Sequence, residues 1–129
     1  MKTKALALVL GVAFGTGALA QSMSQAEYRA EKQRIETEYK SARSACVAFM
    51  ANARDICVAE ADANVKVARA DLEARFKPSQ AAAYKVRVAH ASADYAVALE
   101  TCDEQPASAR GICVKDAKAT LAAAKAKAR

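Results

Sequence analysis

CVAFMANARDIC, Cys46 to Cys57, and CDEQPASARGIC, Cys102 to Cys113, decide the fold. Each cassette holds ten residues between its cysteines and closes on Ile-Cys-Val, Ile56-Cys57-Val58 and Ile112-Cys113-Val114. Laying the first on the second extends the match outward: Tyr28 falls on Tyr84, Tyr39 on Tyr95, Arg54 on Arg110, Glu38 on Asp94 and Glu60 on Asp116. The offset is 56 residues throughout. This is the mark of a tandem repeat, with units at about 24–76 and 79–129 forming one domain over residues 21–129. The pattern speaks to architecture and compartment and names no activity.

Residues 1–20 read as a secretory signal peptide. Lys2 and Lys4 supply the charge, Ala5 to Phe14 the apolar stretch and Ala18-Leu19-Ala20 the cleavage site, so the processed chain starts at Gln21. The apolar run is too short to span a bilayer and is interrupted by glycine. No cysteine follows the cleavage site, which argues against a lipid-anchored product. The expected location is the periplasm. In such an oxidising compartment four cysteines in a small chain read as disulfides.

The hydrophobic fraction of 53% overstates the core, because alanine supplies about half of it and tryptophan is absent. A chain so poor in large apolar side chains buries little surface per residue and gains from covalent staples. All fourteen acids lie beyond the leader, so its removal takes the formal charge from +6 to +4.

Periodicity predicts an all-α fold of four long helices. Ser24 and Glu27 form a capping-box start for the first, about 24 to 48, whose stripe is Tyr28, Ile35, Tyr39, Ala42 and Cys46. The pattern breaks near Met50. Asn52 is expected to cap a second helix, about 53 to 76, with Val58, Ala61, Val65, Ala68, Leu72 and Phe76 inward. Lys77-Pro78-Ser79 ends it, and Ser79 caps a third, about 80 to 103, with Tyr84, Val88, Ala91, Tyr95, Ala98 and Cys102 inward. Pro106 breaks that helix, and Ser108 is expected to cap the fourth, about 109 to 127, with Ile112, Val114, Ala117, Leu121 and Ala124 inward. No strand-like alternation appears.

Four cysteines allow three connectivities. On one unbroken helix Cys46 and Cys57 would stand roughly 16 Å apart at 1.5 Å per residue. A disulfide tolerates only about 4.4–6.8 Å between alpha carbons, so a local bond requires a turn. Pro106 provides one in the second cassette. The preferred reading is two stapled antiparallel hairpins, Cys46–Cys57 and Cys102–Cys113. A rival keeps each cassette helical and bonds Cys46–Cys113 and Cys57–Cys102. That arrangement resembles the twin-CX9C proteins of the mitochondrial intermembrane space. A zinc site of all four cysteines is the third reading, against which stands the absence of closely spaced pairs.

Enzyme signatures are missing. His90 is the only histidine and aligns with Arg34, a surface position. No Gly-rich phosphate loop, HExxH or GxGxxG occurs. The chain reads as a non-enzyme that needs no cofactor and no resident metal, and no nucleic-acid partner is expected. Beyond Asp116 the last helix carries Lys118, Lys125, Lys127 and Arg129 without an acid. These cations are either a solvated helix end suited to the macrodipole or the contact for an anionic surface.

With the leader, the Ala123-Ala124-Lys125-Ala126-Lys127 run and the repeated Ala-Arg…Ile-Cys-Val element, the chain resembles the exported Ala/Lys-rich helical proteins of proteobacteria. Some of these are labelled by composition as similar to the Tol-system envelope protein. The resemblance implies an envelope location and no catalytic residues. Two functions are therefore expected. One is a structural module that binds an envelope protein or itself; the other is a binder of anionic envelope components or membrane surface through the basic last helix.

Overall fold

The computed structural model describes residues 22–129, all-helical with no strand among them. The signal peptide read at 1–20 lies outside the described residues. The four helices are α1 (Gln25–Ala45), α2 (Ala51–Phe76), α3 (Gln80–Cys102) and α4 (Ala107–Lys127). A single turn of 3-10 helix, Cys46–Ala48, lies between α1 and α2.

Two of the four expected starts are built as the sequence implies. The Ser24 hydroxyl accepts from Glu27 N–H at 3.2 Å, and the Glu27 carboxylate accepts from Ser24 N–H at 2.8 Å, a complete capping box. Ser79 Oγ accepts from Ala82 N–H at 2.9 Å. The other two differ. α2 starts at Ala51 behind an extended Met50, and α4 at Ala107 behind Pro106, neither with a side-chain cap. Asn52 and Ser108 therefore sit inside their helices. Asn52 is drawn away because its amide finds a partner on α3, and Pro106 fixes the φ that opens α4.

The helices run alternately up and down. α1 packs on α2, α2 on α3 and α3 on α4, and no other helix pair meets among the described residues. Cross-helix bonds fix each antiparallel register: Arg75 to Glu31 at 3.1 Å between α2 and α1, and Arg87 to the Ala128 carbonyl at 2.7 Å between α3 and the end of α4. Both cysteine cassettes consequently lie at one end, where α1 and α3 finish and α2 and α4 begin. The Lys77–Ser79 turn, the start of α1 and the end of α4 lie at the other.

This order gives the inner helices two buried faces. Leu72 and Val65 of α2 pack with Ile35 of α1, and Met23, Tyr28, Tyr39 and Ala68 close around them. Ala63 is also buried, roughly 180° around α2 from Leu72 at 100° per residue. The only other neighbour of α2 is α3, so Ala63 belongs to that interface. Alanine there lets the two axes approach closely, toward the ~8 Å end of the usual range.

The two hairpins are unequal in substance. The buried residues of α3 and α4 are Ala91, Ala93, Cys102 and the flanking Ala128, none of them large. Ile112 was expected inward and is 64% exposed. The crosslink turns Cys113 toward α3, and the preceding residue then points about 100° away.

Candidate interaction surface

Each cysteine pairs within its own cassette, Cys46 with Cys57 and Cys102 with Cys113, at Cα–Cα 5.6 Å in both. That separation fits a disulfide bridge between facing helix ends. The preferred connectivity is the one observed; the Cys46–Cys113 and Cys57–Cys102 pairing is not. With every sulfur paired, no thiolate remains to bind zinc, and no group of three His, Cys, Asp or Glu gathers as metal ligands among the described residues. Cys46 and Cys102 are buried, Cys57 and Cys113 half-buried.

The first cassette makes its reversal without glycine or proline. Phe49 N–H donates to the Cys46 carbonyl at 3.1 Å, closing the 3-10 turn. The chain then swings through Ala51 at φ 51°, the one left-handed non-glycine residue among those described. For a residue with a Cβ this conformation costs about 1–2 kcal/mol. The second cassette turns on Asp103, Glu104 and Pro106, with Arg110 pairing to Asp103 at 2.7 Å.

Four large apolar side chains of the described residues stand exposed, all of them on these cassettes: Val47 at 68%, Phe49 at 50%, Met50 at 84% and Ile112 at 64%. Scattered apolar residues on a surface need no explanation, but a gathering at one end of a molecule does. Sequence reasoning passed over Val47 and Phe49, read Met50 only as a break and expected Ile112 inward; the tight disulfide-closed turn leaves the first three nowhere to go but out.

The tyrosine pairs stay half-buried and serve as struts. Tyr28 stacks on Phe76 at 4.4 Å between centroids and donates to Glu73. That bond raises the phenol's pKa, because the carboxylate favours the protonated hydroxyl. Tyr39 donates to Asp62 at 2.7 Å while Arg43 reaches the same carboxylate at 3.6 Å. Their counterparts 56 residues on have lost these partners: Asp62 aligns with Lys118, Arg43 with Leu99 and Glu73 with Arg129. The α1–α2 pair is pinned further by Arg69–Glu36 at 2.6 Å and Arg75–Glu31 at 3.1 Å.

The grooves beside Tyr39 and Tyr95 hold 210 and 180 Å³, below the roughly 300–1,000 Å³ of typical ligand pockets. A larger hollow of 810 Å³ at the start of α1 is lined by Glu31, Arg34 and Arg75. Those charges are already committed to one another. Hydrogen bonds from Arg34 and then Arg75 hold the Glu31 carboxyl down at about 2. His90 is exposed on α3.

The cations expected to contact an anionic surface from the last helix are all exposed, but they do not share a face. At 100° per residue Lys118 and Lys125 lie about 20° apart around the axis, whereas Lys127 lies roughly 180° from Lys118. α4 alone thus presents no basic stripe of Lys118, Lys125, Lys127 and Arg129.

Comparison of the chain with protein-family models, curated proteins and solved structures gives no match.

Proposed function

We propose that this chain is a non-enzymatic, exported scaffold of the bacterial cell envelope, which docks an envelope protein or a second copy of itself through its disulfide-closed end. The observation that carries the reading is the confinement of the exposed large apolar residues to that end. A contact of Val47, Phe49, Met50 and Ile112 with a partner would remove them from water, and burial of such residues is what drives most association. The disulfides support a life in an oxidising compartment, in keeping with the signal peptide read at 1–20. In this reading the two hairpins are repeats of one unit within a single domain, each presenting one disulfide-closed turn. No cofactor is called for.

The turn is held ready for such a contact. The crosslink and the left-handed Ala51 keep Phe49 and Met50 outward without a partner, so little ordering cost remains to be met on docking. The test is sedimentation over a wide range of concentration, with and without a photo-crosslinker at position 49. Self-association or a single specific crosslinked partner is expected, and both are to be lost in Phe49→Ser/Met50→Ser with helicity unchanged. A strict monomer whose crosslinks are diffuse and indifferent to these substitutions overturns the reading.

A further inference from the structure

Because the helices alternate in direction, their ends sort the charged residues along the long axis. Dividing each helix at its middle puts thirteen Lys and Arg with four Asp and Glu in the half away from the disulfides, a net +9. The disulfide half holds five against ten, a net −5. Lys118, Lys125, Lys127 and Arg129 fall in the positive half, where they are joined by nine cations from α1, α2, α3 and the α2–α3 turn.

Those cations are largely uncommitted. Arg34, Arg69 and Arg75 are in ion pairs and Arg87 is held by the Ala128 carbonyl. The remaining nine are exposed and enter no ion pair among the described residues.

We infer that this positive pole docks end-on against a bilayer surface of anionic lipid. Four helix ends contribute, so the charge covers the end of the molecule instead of lining a groove, which suits a flat polyanionic surface better than a single strand of acidic polymer. No exposed large apolar residue lies in this half among those described, so the attachment is electrostatic and reversible. The negative pole, with Asp103 and Glu104, is turned away from the lipid by the same field. The inference is independent of the docking role proposed for the disulfide end and leaves that end free.

Vesicle co-sedimentation of the purified protein, in the processed form the cell yields, tests it. The probes are vesicles of equal parts phosphatidylglycerol and phosphatidylcholine, and vesicles of phosphatidylcholine alone. Binding is expected to the anionic vesicles only and to fade as salt shortens the screening length from ~10 Å at 0.1 M. Each cation near an anionic surface contributes roughly fivefold, so Lys32→Glu/Lys77→Glu/Lys85→Glu, with α4 untouched, should weaken binding ~100-fold or more. Arg54→Glu/Lys115→Glu in the negative half should leave it unchanged. Salt-insensitive binding, equal binding to neutral vesicles, or indifference to the first triple substitution overturns the inference. So does displacement of the protein from vesicles by a low concentration of a soluble acidic polysaccharide, which would make that polymer the ligand.

Discussion

Asn52 Nδ2 donates to the Glu100 carbonyl at 3.0 Å, and this bond joins the turn of the first hairpin to the last turn of α3. Glu100 lies two residues before Cys102, so the bond ties the first cassette to the start of the second. The rest of the α2–α3 contact is rich in small residues, which gives a directional bond here unusual weight. Asn52→Ala should cost about 1 kcal/mol. Urea unfolding measures the loss, and amide exchange should show it concentrated at residues 48–54 and 98–104.

Ala51 is left-handed where glycine or asparagine would be at ease. Ala51→Gly relieves about 1–2 kcal/mol of backbone strain and returns ~0.4–1 kcal/mol through the freer unfolded chain. The net expected gain is up to about 1.5 kcal/mol, read as a higher denaturation midpoint. Ala51→Val should move it the opposite way, since a β-branched residue tolerates this φ less well than alanine.

The two crosslinks should differ in consequence. Each closes a short loop of 11 residues' separation, for which the chain-entropy model gives roughly 3 kcal/mol. Without Cys46–Cys57, α1 still has Ile35 in the Leu72 cluster and the Arg69–Glu36 and Arg75–Glu31 pairs. Without Cys102–Cys113, α4 keeps half-buried Val114 and Leu121 and the Arg87 bond to the Ala128 carbonyl, with no large side chain fully buried. Cys102→Ser/Cys113→Ser should therefore release α4, seen as loss of amide protection over 107–127, while Cys46→Ser/Cys57→Ser leaves 25–45 protected.

Acid should act through Glu31. Its carboxyl is held at about 2 by Arg34 and Arg75, so its folded value lies below its unfolded one. A depressed carboxylate contributes stability above the unfolded value, near 4.3, and loses it as pH falls toward 2. Thermal unfolding followed from pH 5 to 2 should show a falling midpoint, and Glu31→Gln should flatten that slope.

How far the sequence could be read follows from which interactions are local. The stripes, the Ser24 and Ser79 caps and the stop at Pro78 each involve residues within a turn of one another, and all were legible. The pairing of Cys46 with Cys57 was the preferred of three readings, carried to the first cassette by the repeat from the break that Pro106 makes in the second. Asn52 was misjudged because its partner, Glu100, is on another helix and no pattern near residue 52 announces it. Ile112 was misplaced because the crosslink turns its neighbour Cys113 toward α3, while Val114, Ala117, Leu121 and Ala124 of the same expected face are half-buried. Ala63 and Ala93 were missed because a single stripe per helix was assumed where the inner helices have two neighbours. The cations Lys118, Lys125, Lys127 and Arg129 looked like a feature of the last helix alone. Only the alternation of direction shows that they share a pole with Lys32, Lys77 and Lys85.

Ser22 and Ala128 belong to the same end of the molecule, since α1 begins where α4 finishes. An affinity tag fused at either terminus would therefore hang over the lysine-rich cap, and a polyhistidine or acidic tag would alter the field it casts. Purification handles are better cut away before any assay of adsorption.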